Sequence, residues 1–280
     1  MSRIEIGGAS NAVQVDGEGP PLLLIHGFTG RGSDWAPVVP ALCRAATTIA
    51  VDLLGHGDSD SPADPARHAV ERQAADLAAI LRRLGLAPAH VAGYSLGARI
   101  ALRIAVSEPD VVARLILESP SAGIADPAQR AGRRATDEQL AHLLEREGIE
   151  AFVDRWESLP LFASERSLPD ADRVRIHAAR LRNRPDGLAA SLRGAGQGSM
   201  EPLYDQLSSV TAPTLVVAGA LDEIGLGRAE AVVGGIPGAR LAIMDGVGHA
   251  PHREAPDRLE RLLLDFLALP APLPVERTPT

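Results

Sequence analysis

The stretch His90-Val91-Ala92-Gly93-Tyr94-Ser95-Leu96-Gly97-Ala98-Arg99 constrains the fold more than any other part of the chain. A short apolar run leads into Gly-Tyr-Ser-Leu-Gly, and a helical stretch follows. Glycines two positions either side of a serine give the G-x-S-x-G spacing of a nucleophile elbow. Such a turn is so tight that only residues with little or no side chain fit at those positions. It holds the serine above a sheet, at the N-terminus of the next helix, where backbone N–H groups favour a developing negative charge. The spacing alone recurs by chance, so its weight depends on what surrounds it.

What surrounds it is an alternation of strands and helices. Residues 4–15 read as a twisted edge hairpin. Pro21–Ile25 is a continuous apolar run, the signature of a strand buried on both faces. It ends in the Gly-rich loop His26-Gly27-Phe28-Thr29-Gly30, and loops at such strand ends line the ligand crevice of open α/β sheets. A short helix over 35–45, a strand over Thr47–Val51 and a helix over 70–84 follow. In that helix Leu77, Ile80, Leu81 and Leu84 share one face. After the elbow and its helix comes a strand over 113–118. From about 121 to 206 the chain turns Arg- and Glu-rich, with helices predicted over 128–147, 149–158, 170–182 and 188–193. Alternation then resumes, with strands over 213–219 and 239–244 and helices over 228–233 and 256–267. The expected organisation is an α/β core over 1–120 and 207–269, a helical cap over 121–206 inserted in it, and a disordered Pro-rich tail over 270–280.

Charge and composition narrow the function classes. The net charge of -8 argues against nucleic acid and against a polybasic membrane anchor. All 28 basic residues are arginine, which removes Schiff-base lysines and a P-loop lysine. One cysteine, Cys43, allows no internal disulfide and fits a reducing compartment. The N-terminus shows no apolar signal segment, and no apolar run reaches membrane-spanning length. The expectation is a cytoplasmic protein, a monomer or weak homo-oligomer, acting on a small molecule.

A nucleophilic serine needs a base within hydrogen-bond reach, and the base needs a carboxylate to fix its tautomer. Asp222 follows one predicted strand end, in Gly219-Ala220-Leu221-Asp222. His249 follows the next, in Gly246-Val247-Gly248-His249. Glu223 is a rival for the acid and His252 for the base. His26 and His56 sit in Gly-rich loops, where shaping backbone turns is their expected work. No His, Asp or Glu cluster has closed metal-ligand spacing, so neither metal nor cofactor is expected. Arg99 lies four residues after Ser95, one turn along the same face. A buried charge there needs a partner, and a substrate carboxylate would match the planar fork of arginine. The alternative is an arginine paired to a local Asp or Glu, or simply solvated on the helix face. The cap adds Arg130, Arg133, Arg134, Arg180, Arg182 and Arg184, most of them expected on the solvated surface.

His26-Gly27, Asp52-x-x-Gly55-x-Gly57-x-Ser59, the elbow, Gly219-x-x-Asp222 and Gly248-His249 together resemble the α/β-hydrolase superfamily over nearly the whole chain. The resemblance implies an α/β-hydrolase fold: a mostly parallel central sheet, flanking helices and an inserted cap. It also implies the triad order Ser95, Asp222, His249 and an oxyanion hole from the N–H groups of Phe28 and Leu96. Within the superfamily the chain is similar to the 2-succinyl-6-hydroxy-2,4-cyclohexadiene-1-carboxylate synthases of menaquinone biosynthesis. The matching stretches are His26 to Gly30, Gly93 to Arg99, Gln129-Arg130-Ala131-Gly132-Arg133, Trp156, Pro160 to Ser164, Leu181-Arg182-Asn183 and Gly248 to Pro256. Ala98 departs from the glycine more usual in that branch. This likeness implies that Arg99, Arg133 and Arg182 hold substrate carboxylates, that Tyr94 and Trp156 line the pocket, and that the reaction is an elimination of pyruvate. The alternatives are an esterase or thioesterase working through an acyl-serine, and a non-catalytic binding protein of the same fold.

Overall fold

The computed structural model describes residues 1–268. The last residue of the expected core and the tail over 270–280 lie outside them. Eight strands form one sheet: β1 (Ser2–Ile6), β2 (Ala9–Asp16), β3 (Pro21–Ile25), β4 (Thr47–Val51), β5 (Ala89–Tyr94), β6 (Val112–Glu118), β7 (Thr214–Gly219) and β8 (Arg240–Met244). Their order is β1-β2-β4-β3-β5-β6-β7-β8. β1 and β2 pair antiparallel as an edge hairpin, and β2 runs antiparallel to β4. All the other pairings are parallel. The helices are α1 (Val39–Leu42), α2 (Val70–Arg83), α3 (Leu96–Ser107), α4 (Pro127–Glu157), α5 (Asp170–Leu181), α6 (Pro185–Ala195), α7 (Glu223–Gly235), α8 (Pro251–Glu254) and α9 (Pro256–Ala268).

Leu22 to Ile25 of β3 are fully buried because helices cover both faces of the sheet. Leu23, Ile25 and Val91 pack with side chains of α2, α3 and α7. Leu22, Leu24 and Ala92 pack with Leu42 of α1 and with Leu259, Leu263 and Phe266 of α9. On α2, Leu77, Ile80 and Leu81 are buried, whereas Leu84 lies past the helix end and is exposed. The helix expected over 35–45 is instead a 3-10 turn, Gly32–Trp35, followed by the single turn of α1. Pro37 and Pro40 explain this, since proline is tolerated only in the first turn of a helix. α7 begins well before residue 228 because Asp222 caps it, accepting from Gly225 N–H at 2.9 Å.

Between β6 and β7 the chain is helical and has its own apolar cluster, including Ala141, Leu144, Phe152, Trp156, Phe162 and Leu188. Phe28, from the loop after β3, packs against that cluster and joins it to the sheet. α4 is interrupted at Gly148, with φ 84° and ψ −174°. Only glycine takes that backbone readily. Gly148 thus separates the half carrying Arg133 from the half carrying Trp156.

Candidate active site

The C-terminal ends of β5, β7 and β8 deliver three side chains to one point. β5 ends at Tyr94, and Ser95 follows with φ 51° and ψ −102°. Such a backbone is strained for a residue with a side chain and persists only where its surroundings force it. Here they do. A Cβ at Gly93 would stand 2.2 Å from the Gly97 carbonyl oxygen, and one at Gly97 only 2.1 Å from that of Ile25. Ser95 N–H donates to Glu118 O at 2.9 Å, which ties the elbow to β6.

His249 Nδ1 donates to Asp222 Oδ2 at 2.6 Å, and Ser95 Oγ donates to His249 Nε2 at 3.1 Å. This assignment of protons follows from the network. Burial pushes the Asp222 carboxyl up, but the His249 hydrogen bond and charge and the Gly225 N–H outweigh it and hold the group below its ordinary value. Glu254 fixes the histidine loop by accepting from Gly248 and Ala250 N–H at 2.7 and 3.0 Å. Ser119 Oγ donates to His249 O at 2.8 Å. The two rivals sit elsewhere: Glu223 is exposed, and His252 is buried against Glu118 at 2.7 Å. His26 Nε2 accepts from Leu53 N–H at 3.0 Å, so it braces a loop. His56 lies 3.2 Å from Leu54 O.

A partly open cavity of about 100 Å³ lies above Ser95 and His249. Phe28, Tyr94, Leu96 and Trp156 line it. The Phe28 and Leu96 N–H groups donate to no protein acceptor among the described residues, as an oxyanion site requires. Trp156 stands over Phe28 and Phe162 at 5.2 and 5.5 Å between ring centroids. Burial raises the Tyr94 phenol well above its ordinary value, so it stays neutral. A second cleft of about 640 Å³ shares Arg133, Trp156 and Leu161 with this cavity.

The cavity wall is cationic. Arg99, Arg133 and Arg228 all line it. Arg133 donates to Asp137 Oδ1 at 2.8 Å and to Gln197 Oε1 at 3.1 Å. Burial raises the Asp137 carboxyl, although Arg133 opposes it. Arg99 donates only to a backbone carbonyl, Ala195 O, at 2.8 Å. Burial and then the Arg133 charge lower its guanidinium to about 10. Burial and then Arg133 lower Arg228 as well. Asp137 and Glu71 act on Arg99, and Asp222 on Arg228, only through space; neither guanidinium makes an ion pair or hydrogen bond with a carboxylate among the described residues.

Arg182, expected at this site, is exposed at the end of α5 and does not line the cavity. Arg130 and Arg134 donate to the carbonyls of Ile124 and Gly198 at 3.3 and 3.1 Å. Arg180 is buried between Glu157 and Glu165 at 2.9 and 3.0 Å. Arg184 donates to Ser59 O at 2.8 Å and to Ser61 Oγ. Sequence reasoning missed Arg228, Gln197 and Ser121, although Ser121 Oγ accepts from Gln197 at 2.7 Å beside Arg133. For Arg228 a signal existed: it lies less than two helical turns past Asp222. Among the described residues no group of three or more His, Cys, Asp or Glu side chains could hold a metal, and no helix is long and apolar enough to cross a membrane.

A family model for the alpha/beta hydrolase fold matches residues 20–256. A Bacillus subtilis (strain 168) protein, provisionally named a 2-succinyl-6-hydroxy-2,4-cyclohexadiene-1-carboxylate synthase, is 36% identical over 254 residues, covering 89% of this chain and 92% of its own. The synthase of that name from Serratia proteamaculans (strain 568) is 30% identical over 260 residues, covering 92% and 96%. The solved structure of MenH from S. aureus superposes with a TM-score of 0.87 at 32% identity, covering 91% of this chain and 97% of that one.

Proposed function

The chain belongs to the α/β-hydrolase fold family, and from that premise we propose that it eliminates pyruvate from 2-succinyl-5-enolpyruvyl-6-hydroxy-3-cyclohexene-1-carboxylate. The product is 2-succinyl-6-hydroxy-2,4-cyclohexadiene-1-carboxylate, an intermediate of menaquinone biosynthesis. The names of the relatives support this reading. The observation that carries it is the cationic wall above Ser95, where Arg99 and Arg228 lack a carboxylate. The substrate has three carboxylates, and two-point hydrogen bonds from arginine suit them. A neutral ester would leave the buried Arg99 and the half-buried Arg228 without an anionic partner.

In this mechanism His249, oriented by Asp222, accepts the Ser95 proton. Ser95 Oγ removes the proton from the ring carbon that bears the succinyl ketone. The ketone oxygen becomes an oxyanion and sits against the Phe28 and Leu96 N–H groups. As the oxyanion collapses, electrons pass through the ring double bond and break the C–O bond to the enolpyruvyl group. That group leaves as pyruvate enolate and takes up a proton. No acyl-enzyme forms. A substrate of this size needs on the order of 300 Å³, so it fills the cavity of about 100 Å³ and extends past Arg133 and Trp156 into the adjoining cleft.

The Ser95–His249 contact and the oxyanion amides would also serve a second reading, a serine esterase or thioesterase working through an acyl-enzyme. Purified protein given the enolpyruvyl substrate separates the two. Rapid pyruvate release supports the lyase. Turnover of p-nitrophenyl esters or acyl-CoA alone would sink it.

A further inference from the structure

The carboxylate-binding role expected from the sequence falls on Arg99, Arg133 and Arg182, yet the third cation at the cavity is Arg228. Arg228 stands on α7, the helix that Asp222 caps, and its half-buried side chain forms part of the cavity wall. It donates to no carboxylate or carbonyl among the described residues. The charged and titratable groups around it are Arg133 from α4, Arg99 from α3, Asp222 from the β7 end and the Tyr204 phenol. Two of these are cations, and Asp222 is held by His249 at 2.6 Å. A half-buried guanidinium that makes no protein hydrogen bond and faces two others is costly in the empty protein. An arriving anion removes that cost.

Resting on the reading of a tricarboxylate substrate, we propose that Arg228 is a specificity-determining residue: together with Arg133 it receives one substrate carboxylate on the α7 side of the cavity, so that the site distinguishes tri- from dicarboxylates. It lines the cavity, whereas Arg182 is exposed and does not. It supplies charge at the wall and leaves proton transfer to Ser95 and His249. A carboxylate taken up there meets two guanidinium groups at once, whereas a ligand without it leaves Arg228 unpaired.

The test compares the wild type with Arg228→Gln and Arg228→Lys. Each protein is titrated calorimetrically with propane-1,2,3-tricarboxylate and with glutarate, which lacks the middle carboxylate. The wild type should prefer the tricarboxylate. Arg228→Gln should weaken it by roughly 10- to 100-fold while changing glutarate binding far less, and Arg228→Lys should recover most of the loss. With the enolpyruvyl substrate, KM should rise by a similar factor while kcat changes little. Thermal stability should hold or rise in Arg228→Gln, whereas a structural arginine would lower it. Equal affinities of wild type and Arg228→Gln, or equal losses for both probes, would overturn the proposal. If the wild type releases no pyruvate but Arg228→Gln still loses the tricarboxylate, the lyase reading falls and the anion site stands.

Discussion

Replacing Arg99 by methionine should make the empty protein more stable and the enzyme much poorer. Methionine keeps most of the stem volume and removes the charge. The folded protein lowers the Arg99 guanidinium to about 10. Against the ordinary value of about 12.5, that corresponds to roughly 3 kcal/mol acting against the folded, unliganded state. The sign follows from linkage: the folded value lies below the unfolded one, so the cost is full at neutral pH and fades only as pH rises beyond about 10. The substitution also strips Ala195 O of its donor at 2.8 Å, a loss of about 1–2 kcal/mol. The net gain is about 1–2 kcal/mol, or a rise in Tm of about 2–4 °C for a chain of this size. On the carboxylate substrate, losing one charge-assisted contact should lower kcat/KM by about 100- to 1,000-fold. Pyruvate release can be followed by coupling to lactate dehydrogenase, with p-nitrophenyl acetate as the neutral control and a thermal melt alongside. A lower Tm, or equal losses on the two substrates, would refute a carboxylate role for Arg99 and make it a structural residue.

Two further outcomes follow from the same geometry. Asp222→Asn keeps an oxygen for the Gly225 N–H but cannot orient His249; it should cut kcat by about 10⁴-fold with little change in the urea midpoint, whereas Asp222→Ala should also lose about 1 kcal/mol of stability. Burial lowers His26, His56 and His68 below their ordinary value, so the unfolded chain binds protons first and stability should fall as pH drops below about 6.5. Urea midpoints measured from pH 7.5 to 5 test this, and an unchanged midpoint would contradict it.

The core was legible because its strands carry the apolar runs that burial on both faces demands, as in Leu22 to Ile25. The runs ending at Tyr94, Gly219 and Met244 place Ser95, Asp222 and His249 just beyond three sheet ends, where side chains from distant parts of the chain meet. Around Trp35 the apolar spacing is helical, but Pro37 and Pro40 remove the donors a helix needs, and a 3-10 turn and the single turn of α1 form instead. The wall of the cavity was harder to read. Arg133 and Arg182 look alike in sequence, and only packing turns the first inward beside Asp137 and leaves the second in solvent. The sequence pattern marks the helix only from residue 228, whereas α7 starts at Glu223, and it is this earlier start that sets Arg228 near Asp222. Charge direction on a helix depends on which face the neighbours cover, and that is a tertiary property.

The two oxygens of Asp222 answer to separate demands: Oδ1 starts α7 through Gly225, and Oδ2 holds His249. A descendant released from selection for catalysis would be free to drift at Ser95 and His249, yet an acid or asparagine at 222 would still be favoured to begin the helix that leads into β8. Surveys that infer lost or retained activity across such lineages from the acid alone would count silent members as active. The histidine is the more discriminating marker, because no helix start depends on it.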